Sequence, residues 1–217
     1  MITTDIANLF LVLLLFLLIF GSAEFLYKRK LSADITRKIV HIGGGIVAAL
    51  LPVFLDLKTV VVIGGGFFLI LLWSKRKKFL NSVHKINEES IGALLYAPSL
   101  TLTAIVFWPV NQLAFQGAAL VLGLSDGIAG IAGRRYGKRK YSITGTKTLE
   151  GSIVFFLITV LILSGILLAQ SSQPVLNKTM FILGGSLLLT IIEALFGKGW
   201  DNLFIPLVAG FILLFAL

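Results

Sequence analysis

Long apolar runs, interrupted at short intervals by clusters of charge, organise this chain from end to end. A bilayer core takes about 20 apolar residues per helix. Eight stretches approach that length, at 6–27, 35–55, 59–74, 91–107, 112–133, 149–169, 177–196 and 203–217. The third and the last are short, so their helices are expected to tilt little or to lie partly in the interface. The pattern predicts an all-α, polytopic membrane bundle of about eight transmembrane helices. Residues 1–217 form one integral-membrane domain, with no convincing repeat, no low-complexity linker and no room for a separate soluble unit.

Composition agrees: 57% of residues are hydrophobic and 13% charged, where a soluble domain has about a quarter charged. Nineteen residues are Lys or Arg, and all but Lys58 and Lys178 fall after the first, third, fifth and seventh runs. The positive-inside rule therefore places those segments in the cytoplasm and both termini on the opposite side. Gly21-Ser22-Ala23 loosely resembles a signal cleavage site. However, no basic stretch precedes the first run, and Lys28-Arg29-Lys30 follows it as a stop-transfer signal would. With no Cys in the chain, disulfides and thiolate chemistry are excluded. Topology and attraction to anionic lipid account for the sign of the +9 charge, so no nucleic-acid partner is expected.

Topology does not account for the acids among those cations. Asp126 stands seven residues before Gly133, roughly 10 Å along a helix and inside the hydrocarbon layer. An ionisable group there is costly and is by default functional, unless a basic residue of a neighbouring helix pairs it. The small residues around it, including Gly130 and Gly133, would let a backbone or a phosphate approach closely. Six cations, glycines and hydroxyls follow between Arg134 and Thr148, a composition suited to cradling a polyphosphate. Gly133 to Gly137 is one residue short of a P-loop, and Arg139 stands where that motif needs Ser or Thr. The segment Lys147 to Ser152 opens the sixth run, whose free N–H groups favour an anion. Glu150 suits that helix start equally well.

Glu193, near the end of the seventh run, opposes its helix dipole and needs a metal or a cation to offset it. Asp201-Asn202 begins the last run, either as a helix start or as part of a metal–phosphate site. Arg37 and His41 share one helical face, and Glu88-Glu89-Ser90 precedes the fourth run. Pro52, Pro98, Pro109, Pro174 and Pro206 are expected mostly near helix ends. Gly43-Gly44-Gly45 and Gly64-Gly65-Gly66 are expected as helix interfaces.

Five blocks in order, Arg37–Gly45, Glu89–Tyr96, Asp126–Gly137, Lys147–Ser152 and Glu193 with Asp201-Asn202-Leu203, resemble the polyprenol and lipid kinase family. That family includes dolichol kinase, phytol kinase and CTP-dependent diacylglycerol kinase. The resemblance covers runs two to eight and leaves the first largely outside. It implies a multi-pass enzyme that phosphorylates a membrane lipid alcohol, using CTP as co-substrate and Mg²⁺ or another divalent cation. By this resemblance Asp126, Lys147 and Glu150 are catalytic. Arg37, Lys38, His41, Gly130, Gly133, Arg134, Arg135, Lys147 and Thr148 bind the nucleotide phosphates. Asp126, Glu150, Glu193 and Asp201 are expected to hold metal, with Glu89, Ser90 and Asn202 as further polar site residues. A CTP:phosphatidate cytidylyltransferase would bring the same nucleotide and metal to this face. A transporter would instead place polar or broken helices near the midplane.

Overall fold

The computed structural model describes residues 5–77, 91–142 and 146–217. Helix α1 runs Ile6–Lys28, α2 Ala33–Phe54, α3 Leu57–Lys77, α4 Gly92–Phe107 and α5 Gln112–Leu120. A π-helical segment, Val121–Asp126, joins α5 to α6, Gly127–Tyr136. Strands β1 (Lys140–Ser142) and β2 (Thr146–Thr148) follow, then α7 (Leu149–Gln170), α8 (Val175–Leu195) and α9 (Asp201–Ala216).

Six of these segments are long and apolar enough to cross a membrane: α1, α2, α3, the continuous α5–π–α6 rod, α7 and α8. α4 and α9 are apolar but shorter. The third run is therefore a full-length helix, extended by Lys75, Arg76 and Lys77, while the fourth joins the last as a short one. The small departure from an all-helical chain among the described residues is the β1–β2 hairpin, which pairs antiparallel with Tyr141 opposite Lys147.

The α5–π–α6 rod is the most buried of the six spans. α2 packs on its length, α9 on α5, α7 on α6, and the pairs α1–α2, α3–α4 and α7–α8 complete the bundle. Phe107, Phe115 and Phe155 fill the core with Leu163, Leu189 and Leu213. The outer faces of α1, α3 and α8 carry exposed Phe10, Val62 and Leu176. Apolar surface of that extent on a helical bundle is lipid-facing surface.

Glycines set how closely the inner helices approach. A Cβ on Gly45 would lie 2.5 Å from Gly123 Cα, so α2 crosses the π segment backbone against backbone. Its two predecessors face other neighbours: Gly43 abuts Ile19 of α1, and Gly44 abuts Tyr96 of α4. In the second triplet only Gly64 meets a neighbour, Thr101 of α4, while Gly65 and Gly66 face open space.

Three prolines lie inside helices: Pro52 is in the last turn of α2, but the other two depart from the expectation of helix ends. Pro98 is in the body of α4 and Pro206 in α9. Pro206 cannot donate to the carbonyl one turn before it, that of Asn202, and the Ser99 hydroxyl of α4 donates to this oxygen instead. In hydrocarbon such a freed carbonyl must find another donor.

The crossing generates a stability prediction. Gly123→Val should lower the melting temperature of the detergent-solubilised protein, by about 1–3 kcal/mol of overpacking or more. Gly65→Ala should leave it unchanged. Equal melting temperatures for the two variants would contradict the backbone contact.

Candidate active site

Two ion-paired clusters face one cavity of about 790 Å³ at the end of the bundle where α2, α4, α7 and α9 begin. The first joins α2 to the rod. Lys38 Nζ lies 2.7 Å from Asp126 Oδ2 and donates also to the Asp126 main-chain oxygen at 3.1 Å. His41 Nε2 is 3.0 Å from the same Oδ2 and 2.9 Å from the Leu122 carbonyl oxygen. Both oxygens are acceptors, so this nitrogen carries a proton and donates it. Leu122 lies in the π segment, and π turns of this kind concentrate at functional sites. Gly130 makes the reach of Lys38 possible, since a Cβ there would lie 2.5 Å from Lys38 Cε. The intramembrane acid is thus paired by a cation from a neighbouring helix, and that pair lines the cavity.

The second cluster is built on the hairpin. Cross-strand neighbours project to the same face of a ladder, so Tyr141 and Lys147 both reach toward α7, α8 and α9. Lys147 Nζ lies 2.6 Å from Glu193 Oε1 and 2.9 Å from Asp201 Oδ2. Ser152 donates to Glu193 Oε2 at 3.1 Å and shares a short hydrogen bond with the Tyr141 hydroxyl. Burial disfavours the Lys147 ammonium, but Asp201, Glu193 and Asp126 outweigh it and raise its pKa above the ordinary lysine value. The charge that offsets Glu193 is therefore a lysine.

Thr148 ends the hairpin and caps α7, accepting from the Gly151 N–H at 3.2 Å. Gly133 packs against its hydroxyl, where a Cβ would come within 2.7 Å. Arg134 reaches back to Asp34 of α2 at 2.8 Å. Asn202 ties α9 to α4, its side-chain amide donating to the Gly92 carbonyl at 2.7 Å. Arg37 also lines the cavity, with a buried Nε that has no hydrogen-bond partner. Such an atom in a basic cavity suits an anion.

The cavity thus gathers Arg37, Lys38, His41, Asp126, Gly130, Gly133, Arg134, Lys147, Thr148, Glu193, Asp201 and Asn202. Two expected residues stand outside its lining. The Glu150 carboxylate accepts from the Arg139 main-chain N–H, because the hairpin register sets Arg139 beside the first turn of α7, where Leu149 N–H also donates to Arg139 O. Arg135 lies on the exposed side of α6 over the Tyr136 ring. Glu89 and Ser90 lie outside the described residues. Asp34, Tyr96, Tyr141 and Ser152 were not singled out by sequence. An acid in the first turn of α2 reads as a helix-start charge, and nothing in Tyr96 or Tyr141 as letters reveals the bond its hydroxyl makes.

No group of three or more His, Asp or Glu at metal-binding distance exists among the described residues. Mg²⁺ needs only one or two protein carboxylates when phosphate oxygens complete its shell. Glu193 and Asp201, which meet at Lys147 Nζ and line the cavity, fit that requirement, while Asp126 belongs to the other cluster.

A helical membrane protein with acids and cations around a cavity at one end is the class that fold and site define. No family model matches the chain, and no solved structure matches it significantly. Among characterised sequences it is 33% identical to the phytol kinase of Synechocystis sp. over 195 residues, 86% of this chain and 81% of that one. It is 29% identical to the probable phytol kinase 3, chloroplastic, of Glycine max over 85% of this chain and 62% of that one. Phytol kinase 1, chloroplastic, of Arabidopsis thaliana matches at 29% over 54% of this chain and 40% of that one. The chain belongs to the polyprenol and phytol kinase family.

The buried pair yields a test. Lys38→Met should cost about 3–5 kcal/mol, because it strands a buried carboxylate, and adding Asp126→Leu should recover much of this. Thermal unfolding of the unaltered protein, the two single variants and the double variant in one detergent would show it. A double variant as unstable as the two single losses combined would mean that the residues are not coupled.

Proposed function

We propose that this chain is a lipid-alcohol kinase that transfers the terminal phosphoryl group of CTP to the hydroxyl of an isoprenoid alcohol at the cytoplasmic membrane face. The observation that carries the reading is the meeting of both clusters at one cavity. Phosphoryl transfer needs positioned charge and little covalent chemistry, and this cavity has cations, carboxylates and residues of the first turn of α7 together. Membership of a family with relatives named phytol kinase supports the acceptor class. CTP as donor rests on the family resemblance.

In this reading Arg37, Arg134, Lys147 and the Thr148 hydroxyl hold the nucleotide phosphates, beside the α7 N-terminus. Glu193 and Asp201, which converge on one point at Lys147 Nζ, would hold a divalent cation, whose chemistry is to neutralise charge on the phosphates. Asp126 meets Lys38 and His41 through Oδ2, and it would take the acceptor's hydroxyl proton through its other oxygen. The fixed partners aim that carboxylate, as preorganisation requires. Lys147, already positioned and charged, would exchange part of its ion pairing for phosphate oxygens.

Purified protein given γ-labelled CTP, Mg²⁺ and a panel of phytol, polyprenols and diacylglycerol should place label in an isoprenoid alcohol. Asp126→Asn should nearly abolish transfer, and Lys147→Ala should slow it about 10²-fold or more, with its defect in nucleotide use. Label left in pyrophosphate, with CMP on the lipid, would establish the cytidylyltransferase reading. Near-normal turnover by a monodisperse Asp126→Asn protein would remove the central assignment.

The orientation follows from loop charge and places both termini outside, with α4 and α9 crossing as the seventh and eighth spans. In intact cells, Ser172→Cys should react with an impermeant thiol reagent and Ser142→Cys should be protected. The opposite pattern would invert the topology.

A further inference from the structure

Beside the polar cavity lies a second, almost wholly apolar slot of about 80 Å³, between the α1–α2 pair and the α3–α4 pair. Phe20, Val40, Leu71 and Tyr96 line both spaces, so the slot opens into the polar cavity beside His41. The Tyr96 ring lies tilted against the His41 ring, 4.4 Å centre to centre. Its hydroxyl donates to the His41 carbonyl at 2.6 Å. The other polar side chain in the wall, Thr101, donates to its own helix at Ala97 O. Both polar groups are thus satisfied by main chain, and the space offers a ligand only apolar contact. Phe16 and Phe20 of α1 lie against Phe67 of α3, at 4.7 and 5.9 Å between ring centres, and bridge the two helix pairs along one wall.

We infer that this slot receives the hydrocarbon tail of the acceptor alcohol next to its hydroxyl. The inference rests on the kinase reading and deepens it. A tail held between Val40 and Tyr96 delivers its hydroxyl to the polar cavity, where His41 and Asp126 stand together. An apolar wall with satisfied polar groups excludes water from that path and favours hydrocarbon by roughly 25 cal/mol per Å² buried. About 80 Å³ beside the hydroxyl holds the first part of one chain, whereas diacylglycerol brings two acyl chains to that point. The remainder of a long tail leaves toward the bilayer past the exposed apolar faces of α1 and α3.

Two measurements test this. The unaltered protein is photolysed with a diazirine-bearing isoprenoid alcohol in detergent and its adducts are mapped. Adducts should fall on slot residues such as Phe67, Leu71 and Leu100, and excess phytol but not dioleoylglycerol should suppress them. Adducts spread over the outer faces of α1, α3 and α8, or suppressed equally by dioleoylglycerol, would overturn the inference. Ala48 is buried in the slot wall. Ala48→Leu should lower the ratio of kcat/KM for phytol to that for prenol, a single isoprene unit, by about tenfold or more. An unchanged ratio in a folded variant would also overturn it. Slot adducts in a protein that phosphorylates no alcohol would sustain the tail site and remove the kinase reading instead.

Discussion

The contact between Gly45 of α2 and Gly123 of the π segment is the constraint on which the site depends. With no side chain on either residue, two main chains meet and the residues one and two turns before Gly45 come level with Asp126. Lys38 and His41 can then reach one carboxylate oxygen from the same helix face. Any spacer at the crossing would push α2 outward and separate the charges in a medium that solvates neither. A rule about helix packing has become a rule about electrostatics.

The two clusters handle buried charge in different ways. Asp126 is neutralised by groups from a rigid helix crossing, so its carboxylate has little freedom. Glu193 and Asp201 share one lysine carried on a short hairpin. Two acids on one cation leave a net negative charge beside the arginines of α2 and α6, which suits a site that must bind a metal and an anion together. Such an arrangement also keeps the acids apart from Lys38, so neither pairing competes with the other.

Much of the membrane architecture was legible in the letters, because apolar runs and loop charge are local properties. Asp126, Lys147, Glu193 and Asp201 stood out for a similar reason: each is a charge in the wrong place for a plain hydrophobic bundle. Partners were less legible. Lys38 was expected to bind the nucleotide phosphates, and its bond to Asp126 depends on a crossing that no local pattern encodes. Glu150 looked like its neighbours in the motif, yet hairpin geometry turns it toward Arg139. The π turn was invisible, since the acid in Val121–Asp126 marks a site but says nothing of the backbone hydrogen-bond spacing around it. The length of α3 was underestimated because its last turn is basic.

The hydroxyl of Ser99 on the Asn202 carbonyl has a mechanical meaning. α9 contains a proline, so this oxygen has no donor of its own helix, and in hydrocarbon a bare carbonyl costs several kcal/mol. Sliding α4 past α9 by a single turn would strand it. The bond therefore works as a ratchet pawl: it permits small rocking but forbids a change of register. Because Asp201 and Asn202 sit just beyond the pawl, the reach of that carboxylate toward Lys147 is set by a serine that itself lies outside the cavity lining.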